Sequence, residues 1–516
     1  MHERERCGGV LAHPTSLWGP HGVGALGPEA HAFVDRMRAA GLRRWQVLPL
    51  GPAGHGHSPY AALSVFAGSP WLVSLAPLFE AGWLAPGDLD AEPDWPEGRV
   101  DFAQVEAWKG RALRAAHERF AREASDADRG ALAAFCHDAR DWLDDYALFM
   151  SLKQEAGGAA WTDWHRPLAR REPEALAAAR ARLAGEVDLH RFVQFVFERQ
   201  WQALRAHAHR TGVRLIGDLP LFAAHDSADV WAHPELFHLD EEGQARVVAG
   251  VPPDYFSATG QLWGNPVYRW SAHRATGYAW WLARLARALG QVDFVRLDHF
   301  RGLCAAWHVR ATEPTAQHGR WVRGPGAAFL RAVRERFGSL PLIAEDLGTI
   351  TEDVYALRDR FDLPGMRVLQ FAFGDEDPKT ALHAPHNHVR NAVAYTGTHD
   401  NDTAASWLLG LDREHDPRTE EERGRERARV LAYAGAHTDD PAHWVLLRLL
   451  FGSVADIAVA PVQDLLGLGP EARMNRPGTV GPQNWSWRLT DRDAARLCSD
   501  EVTAPLREAV GRYGRA

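Results

Sequence analysis

Eight short runs of apolar, largely β-branched residues recur along this 516-residue chain, each ending in glycine or polar residues. They are GVLAHPTS (9–16), WQVLPLGP (45–52), VRLIGDLPLF (213–222), VDFVRLDHF (292–300), LPLIAEDLG (340–348), MRVLQFAFG (366–374), NAVAYTGTHDN (391–401) and DIAVAPVQDLL (456–466). Their cores are almost continuously apolar, the pattern of strands buried on both faces. Between most of them, as in 28–40 and 275–290, Ala, Leu and Arg recur at helical spacing. Such strands alternating with helices make a parallel sheet covered on both sides, and eight units predict an α/β fold, the (β/α)8 TIM barrel.

Two intervals are too long for simple crossovers. Residues 72–205 are rich in Ala, Arg, Glu and Trp with helical periodicity in 103–123, 129–155 and 174–184, and read as a mostly helical insertion subdomain. Residues 223–275 are dense in Pro, Gly and aromatics and read as an aromatic loop insertion covering the active site. The Pro/Gly-rich stretch 475–484 precedes a closing helix, so residues 1–516 are expected to form one catalytic barrel domain, without a separate C-terminal β-sandwich.

A net charge of -9 argues against a nucleic-acid partner, which would call for a basic patch. The N-terminus MHERERCGGV lacks the apolar core of a signal peptide, and no run approaches 18 apolar residues, so no membrane span is expected. Cys7, Cys136, Cys304 and Cys498 are far apart and form no CxxC, consistent with a reducing, cytoplasmic setting without a disulfide framework or zinc site. The 21 tryptophans exceed what core packing usually calls for.

In a barrel of this kind the chemistry sits at the C-terminal ends of the strands. There the third run carries Asp218, the fourth Asp298 and His299, the fifth Glu345 and Asp346, and the seventh His399 and Asp400. A lone Asp after a strand commonly caps the next helix, but acidic groups from four strands converge on one mouth. In FVRLDHFR (294–301) strand alternation puts Arg296 and Asp298 on one face, costly in an apolar strand unless they are paired or used. Metal binding would need spacing such as HExxH or DxD, which is absent, and HAPHNH (383–388) reads better as a solvated or sugar-facing loop, so no metal is expected. Retaining glycoside chemistry needs two carboxyl groups about 5–5.5 Å apart. Neighbouring strands lie about 4.8 Å apart, which suits Asp298 and Glu345. Tyr255, Phe256, Trp263, Tyr268 and Trp270, in a segment without strand or helix period, suit sugar stacking, and a satellite core cluster is the competing reading.

The chain resembles the 4-α-glucanotransferases (amylomaltases or disproportionating enzymes, glycoside hydrolase family 77), relatives of the α-amylase barrel. The resemblance runs in order through HPTSLWGPHGVGALG (13–27), SPYAALSVFAGSP (58–70), IGDLPLFAAHDSADVW (216–231), GVPPDYFSATGQLWGNP (250–266), FVRLDHFRG (294–302), IAEDLGTIT (343–351), PGMRVLQFAFG (364–374), YTGTHDNDT (395–403) and RMNRPGT (473–479). It implies that Asp298 is the nucleophile, Glu345 the general acid and then base, and Asp400 a stabiliser of the distorted glucose. It also implies that Arg296 keeps Asp298 ionised, that His299 and His399 bind hydroxyls of that glucose, and that Asp218 orders the site. Ser58, Tyr60, Tyr255, Phe256, Gln261, Trp263 and Asn265 would line the subsites. One departure stands out: His55 and His57 replace the Tyr-Gly-Asp that usually precedes Ser-Pro-Tyr, which bears on glucan contact near the acceptor side or a secondary site.

The resemblance thus implies transfer of an α-1,4-glucan segment to a 4-hydroxyl through a covalent glycosyl-aspartate, with no cofactor, and with maltooligosaccharides and α-1,4-glucans as partners of a monomer or homodimer. Hydrolysis of the α-amylase type shares the first half-reaction, and a non-catalytic glucan-binding protein would keep the fold. An aromatic lid that binds an acceptor and excludes water favours transfer.

Overall fold

The computed structural model describes residues 5–253, 259–416 and 418–516. Eight parallel strands form the central sheet: β1 Cys7–Leu11, β2 Arg44–Gln46, β3 Arg214–Leu219, β4 Phe294–Leu297, β5 Leu342–Ala344, β6 Gly365–Val368, β7 Ala392–Tyr395 and β8 Ile457–Pro461. Each falls in or against one of the eight apolar runs. The order is β6-β7-β8-β1-β2-β3-β4-β5, so β1 pairs with both β2 and β8, joining the first strand to the last. The remaining seam, between β5 and β6, is bridged by Ala344 N–H donating to Pro364 O at 2.9 Å and by Met366 N–H donating to Asp346 Oδ1 at 2.7 Å. The chain folds as a (β/α)8 barrel.

The seam explains Asp346. Its carboxylate is fully buried and pairs with Arg358 at 2.5 Å and Arg367 at 3.6 Å. It lies so close to β6 that a Cβ on Gly365 would meet its Oδ2 at 2.4 Å, which is why glycine opens that strand. Asp346 is therefore a structural member of the wall, while its neighbour Glu345 faces the mouth.

Inside the barrel, Leu11, Leu48, Ile216, Ile343, Met366, Val368, Val393, Tyr395 and Val459 pack into one apolar cluster. Alternation places Ile216 and Asp218 of β3 inward, and likewise Phe294 and Arg296 of β4. Polar groups inside the barrel find partners there: Tyr395 Oη donates to Gln46 Oε1 at 2.8 Å, and Arg296 sits between Asp218 and Met366. Burying these polar groups is tolerable because each has a partner.

Between β2 and β3 run the helices Phe102–Glu123, Asp126–Glu155, Pro173–Arg182 and Ala184–Arg210. Side-chain oxygens of Asp101 and Ser125 accept backbone N–H groups of the first turns of the first two, ordinary N-caps. The last helix leads directly into β3 and is fastened to the loop after β2 by two buried glutamines. Gln194 exchanges two hydrogen bonds of 2.8 Å with the backbone of Gly68, and Gln200 does the same with Ser74 at 2.7 and 2.8 Å.

Segment 223–275, read from sequence as irregular loop, contributes two strands to a second, antiparallel sheet. Its order is Gln261–Pro266, Val247–Val251, Ala305–Arg310, Gly319–Arg323, so the segments after β3 and after β4 build it together. These strands escape pattern reading because Gln261–Pro266 is mostly exposed and carries Gly264 at a positive φ of 77°. Among the described residues no helix is long and apolar enough to cross a membrane.

Candidate active site

The site grows from the ends of β3, β4, β5 and β7. β4 and β5 run in register, Arg296 beside Ile343 and Leu297 beside Ala344, so the next residues, Asp298 and Glu345, face one another across the strand gap. Asp298 N–H donates to Leu219 O at 3.0 Å, and Glu345 N–H donates to Leu297 O at 3.1 Å. Both carboxylates are thereby carried on backbone that continues the barrel ladder.

Arg296 is the cation of the group. Its Nη1 donates to both oxygens of Asp218, at 2.8 and 2.7 Å, and its Nη2 lies 3.1 Å from Asp298 Oδ1. The Asp218 side chain is fully buried, whereas Asp298 keeps 29% of its side-chain surface open to the mouth. Tyr60 Oη donates to Asp218 Oδ2 at 2.9 Å, closing that carboxylate off.

Arg296 acts on Asp298 in the direction the sequence reading expects, and it does so against the burial of the whole group. Burial pushes the Asp298 carboxyl up, Arg296 pulls it down, and Asp218, Glu345 and Asp400 add to the upward push. Glu345 is also pushed up by burial, against Arg296 and two backbone donors. One guanidinium, already committed to Asp218, does not balance three carboxylates in a desolvated mouth.

Glu345 is clamped by backbone: His299 N–H donates to Oε2 at 2.8 Å and Leu347 N–H to Oε1 at 2.9 Å. The first of these donors stands on His299 in the left-handed region, φ 52° and ψ 46°, unusual for a non-glycine residue. The imidazole of His299 is buried and held neutral, drawn down to about 3 by burial, and its Nε2 has no protein partner. Trp263 meets it edge-on at 4.8 Å.

Asp400 approaches from β7. Its Oδ1 accepts from Asn475 Nδ2 at 2.7 Å, its carbonyl accepts from Arg473 Nη2 at 2.8 Å, and His399 Nε2 lies 3.4 Å from Oδ2. His399 is buried, which lowers its basicity, and stacks on the Tyr60 ring at 5.1 Å, with Trp485 against both. Asn475, Arg473 and Trp485 were not singled out from sequence. Their loop lies more than 70 residues beyond Asp400, and nothing in its Pro/Gly-rich composition signals carboxylate support.

The other expected residues divide. Ser58 Oγ accepts Tyr60 N–H at 3.3 Å, shaping the turn that presents the tyrosine. Gln261 Oε1 accepts from Trp263 Nε1 at 3.2 Å, and Asn265 Nδ2 donates to Ala223 O at 2.9 Å, tying the edge strand to the loop after β3. Tyr255 and Phe256 lie outside the described residues. Tyr268 and Trp270, read as loop platforms, belong instead to a packed cluster: Tyr268 is buried against Phe222, Phe237 and Trp280, and Trp270 stacks on Trp281. The tryptophan load as a whole has the same explanation, since 12 of the 21 are buried in the core. In the HAPHNH loop the imidazoles are taken by protein: His383 accepts Val368 N–H, and His388 bonds Ser453 and the His383 carbonyl. Among the described residues no cluster of three or more His, Cys, Asp or Glu is placed to hold a metal ion.

The family described as 4-alpha-glucanotransferase, Glyco_hydro_77, matches residues 12–494. The chain belongs to this family. A 4-alpha-glucanotransferase of Thermus thermophilus is 51% identical over 491 residues, covering 94% of this chain and 95% of the relative. Another from Synechocystis is 48% identical over 487 residues, covering 94% of each. Among solved structures, the amylomaltase of Streptococcus agalactiae in complex with acarbose superposes with a TM-score of 0.92 at 35% identity, covering 99% of this chain and 100% of that one.

Proposed function

We propose that the protein is a retaining 4-α-glucanotransferase acting on α-1,4-glucans, with Asp298 as nucleophile and Glu345 as acid and base. The observation that carries this is the facing of the two carboxyls at the ends of β4 and β5 with one guanidinium on the Asp298 side. The raised carboxyls favour keeping a proton within the pair. Only Asp298 contacts a formal cation, so the proton belongs on Glu345, the arrangement an acid and a nucleophile require.

In the first half-reaction an Asp298 oxygen bonds to the anomeric carbon as the glycosidic C–O bond breaks, and Glu345 gives its proton to the departing O4. In the second, an acceptor 4-hydroxyl gives its proton to Glu345 and attacks the same carbon, releasing Asp298 as the carboxylate. Asp400, oriented by Asn475, and the unpartnered Nε2 of neutral His299 are available to the hydroxyls of the distorted sugar. Neutral His299 can serve hydroxyls without adding a charge that would compete with Arg296.

The test is incubation with maltotriose while free glucose, longer oligosaccharides and total reducing ends are followed. Transfer yields glucose and longer chains at constant reducing ends. Reducing ends that climb with glucose and no longer products would establish hydrolysis and sink the proposal.

A further inference from the structure

Of the 21 tryptophans two are exposed, Trp263 at 38% and Trp321 at 39%. Trp263 faces the catalytic loop through His299, as described. Trp321 lies on the opposite edge strand of the antiparallel sheet, Gly319–Arg323, and has been given no task.

Register fixes where it points. Leu262, Gly250, Trp307 and Trp321 form one row across the four strands, so Trp307 and Trp321 share a face with Leu262. Trp307 meets Trp321 edge-on at 5.3 Å, and Trp307 is itself fixed by Nε1 donating to Ala316 O at 2.8 Å. The guanidinium of Arg301 stacks on Trp321 at 3.8 Å and is anchored by a hydrogen bond to Thr349 O in the loop after β5. Arg323, exposed, stands two residues along on the same face as Trp321.

An indole held by a stacked guanidinium and a neighbouring ring, yet open to solvent, is suited to stacking on a flat apolar face. A pyranose ring presents such a face, with hydroxyls at its rim for a guanidinium such as Arg323. The platform is also continuous with the mouth, because Arg301 lies two residues after His299 on the loop that follows β4. We propose that Trp321, backed by Arg301 and flanked by Trp307 and Arg323, is an accessory binding platform for an α-1,4-glucan chain outside the catalytic cleft. The occupant follows from the transfer reading above, on which this inference rests: the proposed platform serves a substrate long enough to extend beyond the cleft, and a short oligosaccharide held within the cleft would not use it.

The test compares the wild type, Trp321→Ala and Trp321→Tyr on maltotriose and on amylose, with native gel mobility in soluble amylose. Trp321→Ala should raise KM for amylose about three- to tenfold, the loss of one aromatic stacking contact, with kcat unchanged. It should also run less retarded in amylose gels and leave maltotriose kinetics untouched, and Trp321→Tyr should restore most of the affinity. Unchanged amylose KM and gel mobility in Trp321→Ala would overturn the platform, and so would a parallel loss on both substrates. Absence of transfer by the wild type on maltotriose would instead refute the transfer reading, while gel retardation would still report on Trp321.

Discussion

Lys109, in helix Phe102–Glu123, is 2% exposed, and its Nζ donates to Trp71 O at 2.6 Å. Among the described residues no carboxylate lies within ion-pair distance of it. Burial alone draws the amine down to about 7 from its ordinary 10.5. A drop of that size means that holding the ammonium in the folded state costs about 5 kcal/mol, by the conversion of about 1.4 kcal/mol per pKa unit. Lys109→Met removes that cost and keeps the stem, but leaves the Trp71 carbonyl without a donor, a loss of about 1–3 kcal/mol. The variant should therefore be more stable by about 2–4 kcal/mol at pH 6. The unfolded chain holds this proton up to about 10.5 and the folded one only to about 7, so wild-type stability rises with pH between those limits. The advantage of the variant should shrink accordingly and vanish near pH 9. Urea midpoints of both proteins at pH 6 and pH 9 decide the matter. A variant less stable than wild type at pH 6, or an advantage that does not change with pH, would refute the reasoning.

Other outcomes follow from the site. Asp298→Asn should abolish transfer with every donor, whereas Glu345→Gln should lose activity on glucans yet retain glycosyl-enzyme formation from an α-maltosyl fluoride, whose leaving group needs no proton; equal loss on both donors would exclude the acid role. The pH profile of kcat/KM should be bell-shaped, its acid limb above the ordinary carboxylate range because burial raises the Asp298–Glu345 pair as a unit, and a limb at pH 4 would contradict that. Arg296→Met leaves Asp218 buried without its cation and should lower stability by about 3–5 kcal/mol in addition to eliminating turnover, as denaturation and rate measurements would show. Tyr268→Ala should cost about 3–5 kcal/mol of stability, while Trp263→Ala should leave the unfolding midpoint almost unmoved and raise KM.

The barrel was legible because parallel strands covered on both faces must be written as unbroken apolar runs, and polar residues intrude only where a strand reaches the mouth. Asp298 and Glu345 stand out for that reason. The partnership of Arg296 with Asp218 was not legible, since strand parity pairs Arg296 with Asp298 and says nothing of the strand beside it. Nor was the antiparallel sheet, whose exposed edge strand Gln261–Pro266 lacks a buried face to impose alternation. Tyr268 misled because an aromatic in a Pro/Gly-rich stretch has no period to betray that it packs among Phe222, Phe237 and Trp280. Asn475 reaches Asp400 only through the closed fold, from a distance in sequence that no spacing rule spans.

The two glutamines on helix Ala184–Arg210 have a mechanical consequence. Gln194 and Gln200 grip Gly68 and Ser74; the same helix runs into β3, which ends at Asp218; and Asp218 accepts the hydroxyl of Tyr60, a few residues before Gly68. Loop, helix, strand and loop thus form a closed linkage with the Arg296 guanidinium at one joint. Displacing the helix would shift both ends of the Tyr60–Asp218 hydrogen bond together. An exchange of the helical segment with that of a relative should therefore preserve the site only when the graft carries both glutamines.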